Sequence, residues 1–291
     1  MDLRVLRNFL KIAELENITQ ASRELNVAQP HLTRQIKTLE EELGVELFIR
    51  DKKRLHITEE GKFLKQQAEQ IFRLVNKTEQ QIQEMQSEIE GTLFIGAIES
   101  VAVSLLPQLI SEFKEKYPDV KYEIWSANSK DVAERIEKGV SDLAIVREPF
   151  DQDKFEHIRL YKEKWAVFFS RNNIFSQKSS SQISLRELSN AQLLVPTQRL
   201  EEIEKWFKEE NLKANIKCSF SPMTSGIELM KKEIGIAILP ESAWNCLNQQ
   251  EIIKKELAQT KITDVSIIWK KGIELPNIAK RFLEFVQSRQ N

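Results

Sequence analysis

Between Gln29 and Thr38 the chain carries a run of side chains that donate, accept or bring positive charge, and no acid: Gln29, His31, Thr33, Arg34 and Lys37. Such a set suits the reading of base edges, because Arg and Lys donate to guanine while Gln both donates and accepts at adenine. A simple solvated face usually mixes both charge signs. A second run, Arg50-Asp51-Lys52-Lys53-Arg54, offers cations for phosphate. Further on, polar residues follow each predicted strand: Glu99-Ser100, Ser126 to Ser129, Arg147-Glu148 and Thr197-Gln198. Hydroxyls at helix starts and a forked guanidinium are what an anionic ligand needs. They can equally be helix caps, and Arg147 can equally pair with Glu148 or Asp151. Glu99 opposes an anion unless it points away. No catalytic constellation accompanies these residues. His31, His56 and His157 are scattered, no P-loop is present, and Gly96-Ala97-Ile98-Glu99-Ser100 is not a G-x-S-x-G elbow. Neither catalysis, nor a metal, nor a cofactor is expected.

The elements that must position the first two runs are legible. Leu3, Leu6, Phe9, Leu10 and Ala13 form one helical stripe, and Asn17-Ile18-Thr19 breaks it. Thr19 is the expected cap of a short second helix, Gln20 to Leu25. Pro30 fits the first turn of a third helix and Gly44 the residue past its end. Within that helix Leu32, Ile36, Leu39 and Leu43 recur at spacings of 4, 3 and 4, which predicts one buried stripe opposite the polar face. Leu47 and Phe48, the basic turn and a strand-like Leu55-His56-Ile57 then read as a wing. Helix, short helix, turn, helix and basic hairpin is the order of a winged helix-turn-helix. From Thr58, with Glu59 and Glu60 in the first turn, a long helix follows, with Gly91 as its expected stop. Leu64, Ala68, Ile71, Val75, Thr78, Ile82, Met85 and Ile89 alternate spacings of 4 and 3, the seam of a coiled coil. At roughly 1.5 Å per residue the helix is about 45 Å long and cannot bury that seam alone. A homodimer is expected.

A chain of 291 residues has room for two or three cores, and 41% hydrophobic with 30% charged residues is the composition of a folded protein. The net charge of −1 conceals any nucleic-acid footprint, and the first 90 residues hold 14 Lys and Arg against 16 Asp and Glu, a net of −2. Any such signal is local. Met1 to Arg7 lack an apolar leader and no apolar run reaches membrane-spanning length, so a cytoplasmic protein without membrane contact is expected. Cys218 and Cys246 lie far apart without metal-ligand spacing and read as free thiols. Residues 92–291 alternate strands and helices: Leu93 to Ala97, Leu105 to Tyr117, Lys121 to Trp125, Lys130 to Lys138, Leu143 to Val146, then strands at Trp165 to Phe169, Leu193 to Val195, Ile236 to Leu239 and Val265 to Trp269, and a last helix from Ile278 to Arg289.

Three stretches carry a family likeness: Ile18-Thr19-Gln20-Ala21-Ser22, Val27-Ala28-Gln29-Pro30-His31-Leu32-Thr33-Arg34-Gln35-Ile36, and Leu39-Glu40-Glu41-Glu42-Leu43-Gly44-Val45-Glu46-Leu47-Phe48. They resemble the LysR-type transcriptional regulators, and the likeness extends, less specifically, over nearly the whole chain. It departs at Ala28, where the family commonly has Ser, and at His31, where a small residue is frequent. The resemblance implies a mixed fold: an all-α winged helix-turn-helix over 1–58, a linker and dimerisation helix over 59–90, and an effector-binding domain over 91–291. That domain would be two-lobed α/β, like type 2 periplasmic solute-binding proteins, with one lobe at about 91–161 and 267–291 and the other at about 162–266. It implies DNA contacts by Thr19, Gln29, Pro30, His31, Thr33, Arg34 and Lys37, with Lys52, Lys53 and Arg54 on flanking phosphate. It places a small effector, a carboxylate or other anion, between the lobes at Ser100, Ser129, Arg147, Pro196 and Thr197, with Met223, Thr224 and Ser225 completing the second wall. The implied partners are a dyad operator in double-stranded DNA and further copies of the chain, as dimers and as tetramers built from them. The alternative reading is a solute-binding or ligand-sensing protein in which DNA binding is secondary.

Overall fold

The computed structural model describes residues 2–51, 54–84 and 90–289, in two compact units, Met1–Met85 and Gln86–Asn291. In the first, α1 (Leu3–Leu15) starts where the Asp2 carboxylate accepts from the Val5 N–H at 2.9 Å. Helix α2 (Ile18–Glu24) corrects one expectation: its cap is Asn17, which accepts from the Gln20 N–H at 3.0 Å, and Thr19 lies inside the first turn. Asn17 has the extended backbone a cap requires, which a residue already in the helix cannot have. Helix α3 (Gln29–Leu43) has its proline in the first turn, no side-chain cap from Ala28, and stops at Gly44 with φ 70°.

These helices close over Phe9, Ile12, Ala21, Leu32, Ile36 and Leu39, with Leu47 and Leu55 from the hairpin β1 (Phe48–Asp51) and β2 (Arg54–Ile57). Leu43 is not in the stripe; as the last helical residue it is 41% exposed. The chain turns there, and half-buried Glu40 ties the turn down by accepting from the N–H groups of Leu47 and Phe48 at 2.8 and 3.2 Å. Lys52 and Lys53 lie outside the described residues. Helix α4 (Glu59–Glu84) is capped by Thr58, whose Oγ accepts from the Gly61 N–H at 2.9 Å. Ala68 is fully buried and Leu64 packs on the head's own core, so the first two seam positions serve the monomer rather than a partner. Ile71 and Val75 are half-buried, whereas Phe63 and Leu74 stand exposed. Met85 and Ile89 lie outside the described residues.

The second unit opens with β3 (Gly91–Ile98), α5 (Glu99–Ser104), α6 (Leu106–Lys116), β4 (Val120–Ala127), α7 (Ser129–Glu137) and β5 (Leu143–Arg147). Strand β3 runs parallel to both β4 and β5. The next strand, β6 (Phe155–Ser170), is far longer than the expected Trp165 to Phe169. Its first stretch alternates exposure, the mark of a half-covered strand, and only from Trp165 does it become continuously buried. After it come β7 (Gln182–Ile183), α8 (Leu185–Leu188), β8 (Leu193–Pro196), α9 (Leu200–Glu209), β9 (Ile216–Phe220), α10 (Met223–Lys231), β10 (Ile236–Pro240), β11 (Ile252–Leu257), β12 (Ile262–Lys270) and α11 (Asn277–Ser288).

Strand β6 belongs to both lobes. Up to Lys164 it pairs with β12, and from Trp165 it pairs with β10 and β11. The first lobe's sheet therefore resumes at Ile262, earlier than the expected 267, because β12 needs the ladders of β6 and β5 on its two edges. Phe113 and Phe282 meet edge to face at 5.1 Å in that lobe's core. The second lobe packs Val167, Leu193, Ile203 and Phe207 on one side of its sheet and Phe168, Leu194, Ile227 and Met230 on the other. Among the described residues no helix is long and apolar enough to cross a membrane.

Candidate functional site

Two surfaces collect the candidate residues. On α3, Gln29, Pro30, His31, Arg34 and Lys37 are exposed, and Leu32, Ile36 and Leu39 are buried on the opposite side. Thr33 is half-buried and its hydroxyl donates to the Gln29 carbonyl at 3.0 Å. Exposed Thr19 donates to Gln29 Oε1 at 3.3 Å, tying α2 to the start of α3. Buried Asn8 donates to Gln35 Oε1 at 2.7 Å, which locks the rotation of α3 against α1. The Lys37 ammonium is 3.8 Å from Glu41, a pair so exposed that solvent screens it. Arg54 begins β2, on the hairpin that Leu47 and Leu55 anchor.

The second surface is a cavity of about 930 Å³ in the Gln86–Asn291 unit. Its wall is largely apolar, with Ile98, Ala127, Phe150, Trp165, Phe220 and Leu239, and its polar groups cluster at strand ends. Of the expected residues, Ser100, Ser129, Arg147 and Pro196 line it. Thr197 is exposed in a short 3-10 turn, and its neighbours Gln198 and Arg199 form the wall instead; of Met223, Thr224 and Ser225, only Met223 does. Ser129 is not a helix cap, since Asn128 takes that place by accepting from the Asp131 N–H at 3.1 Å. The Ser129 hydroxyl instead pins the end of β5, accepting from Arg147 N at 3.2 Å and donating to its carbonyl at 3.1 Å.

Arg147 is 6% exposed and is not a free cation. Its partner is neither Glu148 nor Asp151 but buried Glu163 on β6, which takes Nε at 2.9 Å and one terminal nitrogen at closer range. Arg147 also donates to Ser100 Oγ at 3.2 Å and Ser242 Oγ at 3.4 Å, and Glu163 accepts from the Ser242 N–H at 2.6 Å. Arg199 donates to the Arg147 carbonyl at 3.3 Å and to Glu202 at 2.8 Å. Both guanidinium carbons stand 6.0 Å from the Trp165 ring centroid, within cation–π range. Burial pulls Arg199 below the usual guanidinium range, and burial, followed by the charge of Glu163, pushes the Tyr161 hydroxyl up. The group is a buried ionic hub that joins the lobes, with each guanidinium balanced by its own acid.

Glu163, Arg199 and Ser242 escaped the sequence reading, whereas Gln198 was among the polar residues expected after a strand. Glu163 left a trace, since it shares period-2 register with Trp165, Val167 and Phe169, and an acid on the buried face of a strand needs a partner. Arg199 left none.

A helix with an exposed, acid-free polar arc on a helix-turn-helix head, carried by a chain with a two-lobed α/β unit around a cavity, defines a DNA-binding regulator with a ligand-binding domain. Two family models match accordingly: "Bacterial regulatory helix-turn-helix protein, lysR family" over residues 3–62, and "LysR substrate binding domain" over residues 86–291. The chain belongs to the LysR family of DNA-binding transcription regulators. It is similar to the Hca operon transcriptional activator HcaR of Escherichia coli (strain K12), 27% identical with 99% of this chain and 98% of that one covered. It is 26% identical to the HTH-type transcriptional regulator BsdA of Bacillus subtilis (strain 168), over 98% and 99% of the two chains. Among solved structures it shares the fold of CbnR, a LysR family transcriptional regulator, at a TM-score of 0.80 and 21% identity over 100% of both chains. The structure of full-length CbnR complexed with its target DNA aligns at 0.80 and 22% identity, over 99% of both chains.

Proposed function

We propose that α3 enters the major groove with Gln29, Pro30, His31, Thr33, Arg34 and Lys37 toward the bases, that Thr19 adds a contact from α2, and that Lys52, Lys53 and Arg54 meet flanking phosphate. The observation that carries this reading is the division of α3 into a buried Leu32–Ile36–Leu39 side and an exposed acid-free side over Gln29–Thr38. Bases set specificity and phosphates set affinity and its salt dependence. In a gel shift with DNA from its own promoter region, Arg34→Ala is expected to lose about 1–3 kcal/mol of specific binding. Non-specific binding changes little. Equal affinity of variant and wild type would refute this choice of reading face.

Two heads on one dyad operator require a dimer, which exposed Leu74 and the half-buried Ile71 and Val75 on α4 support; tetramers form from such dimers. Light scattering at micromolar concentration is expected to give a dimer or a tetramer, and Leu74→Asp to shift it toward monomer. A monomeric wild type would contradict the seam. The protein senses rather than converts its ligand, and acts in the cytoplasm on DNA. Its effector, a small molecule with an apolar body and a polar head, lies against Ser100, Ser129, Arg147 and Pro196, with Thr197 at the rim, and sets the angle between lobes. A thermal-shift screen of small metabolites, followed by the gel shift with and without each hit, tests this.

A further inference from the structure

Helix α10 starts without a cap of its own. Pro222 occupies the cap position and supplies no side-chain acceptor, which leaves the Met223 N–H among the orphan donors of the first turn. The acceptor comes from the other lobe, where Glu99, the first residue of α5, places Oε2 2.8 Å from the Met223 nitrogen. The contact spans the cavity: Glu99 and Met223 both line it, one from each lobe. Helix α5 also packs against the Glu241–Cys246 turn of the second lobe, which holds Glu99 in place. The buried guanidinium groups nearby do not neutralise Glu99, because Arg147 is committed to Glu163 and Arg199 to Glu202.

We propose that Glu99 is a specificity-determining residue of the cleft: its carboxylate takes the place at the first turn of α10 that a ligand carboxylate would otherwise occupy. The proposal rests on the cleft being the effector site. A carboxylate is attracted to exposed N–H groups at a helix start, and the chain supplies one from within. A ligand that brought a second carboxylate there would meet Glu99 at close range in a largely apolar enclosure, where like charges repel strongly. The cleft therefore takes neutral molecules or monoanions whose uncharged end reaches α10. A ligand with a single carboxylate turns it away from α10. Dicarboxylates that span the cleft are rejected.

Amide hydrogen exchange at Met223 in the full-length protein tests this, with sodium acetate as the probe and acetamide and sodium chloride as controls. In the wild type this amide exchanges slowly and acetate changes nothing, since Glu99 already fills the place. Glu99→Ala is expected to speed exchange about tenfold, and acetate, unlike acetamide or chloride, slows it again. Glu99→Gln keeps an acceptor and stays within a few fold of the wild type. If Glu99→Ala does not fold, Glu99→Ser carries the test, because its short, uncharged side chain cannot reach Met223 and leaves the place open to acetate. Exchange no faster in the shortened variants, no response to acetate in them, or an equal response in the wild type would each overturn the proposal. The measurement needs neither DNA nor effector, so an empty metabolite screen leaves it standing and an unresponsive amide leaves the effector reading standing.

Discussion

Glu163→Ala is expected to destabilise the Gln86–Asn291 unit by about 3–5 kcal/mol, because it strands a buried positive charge. Arg147 is 6% exposed and Glu163 4% exposed, so each depends on the other for its counter-charge. Removing the acid leaves the guanidinium with the Ser100 and Ser242 hydroxyls, which orient it but do not balance its charge. It also deprives the Ser242 N–H of its acceptor at 2.6 Å, loosening the turn after β10. A loss of this size is a large part of a domain's total stability. Urea unfolding followed by the emission of the unit's five tryptophans, among them Trp165 with the Arg147 guanidinium over its ring, reads it. The double variant Arg147→Met with Glu163→Leu is expected to recover most of the loss, because an apolar pair of similar volume removes both charges together. If Glu163→Ala cost less than about 1 kcal/mol, water from the cleft would be compensating Arg147, and the picture of a mutually dependent buried pair would be wrong.

The second large effect falls on the head. A Cβ at residue 61 would sit 2.3 Å from the Leu47 carbonyl oxygen and 2.6 Å from Ile57 Cγ1. The oxygen belongs to backbone that also accepts from the Thr58 N–H at 3.0 Å, so it cannot swing away. Gly61→Ala is expected to cost about 2–3 kcal/mol by forcing α4 away from the hairpin. The head is small and has little stability in reserve, so thermal melting and the gel shift should both register the change. Gly44→Ala is the control: φ there is 70° but nothing lies within 4 Å of the added carbon, and the cost is the backbone strain alone, about 1 kcal/mol. Equal melting temperatures for the two variants would mean that α4 yields at its first turn.

Much of the head was legible because its signals are local. Pro30 and Gly44 bracket α3 by their own backbone preferences, and Leu32, Ile36 and Leu39 define its buried side by helical period alone. The polar arc from Gln29 to Lys37 follows from that period with no further information. Thr58 caps α4 for the same reason, since a hydroxyl that reaches three residues on needs no distant partner. Leu43 and Asn17 mark the limit, because the exact last and first turns depend on where the chain goes next, and Glu40 and the extended backbone of Asn17 decide it.

The cleft was legible only as a set of strand ends. Parallel strands deliver Ser100, Ser129, Arg147 and Pro196 to one edge, which the alternation of strands and helices implies. What those residues do there depends on contacts across long separations: Arg147 with Glu163, Arg199 with the Arg147 carbonyl, and Glu99 with Met223 124 residues away. Sequence alone determined α3 with its exposed polar arc, the long helix that follows the hairpin and the alternating α/β unit, since periodicity and caps act over a few residues. Only the tertiary structure decided that Leu64 and Ala68 serve the head, that β6 is shared between two lobes, and that the arginine in the cleft already has its anion. Electrostatic balance in a dry interior is set by whichever charges folding brings together, and spacing along the chain carries no record of that.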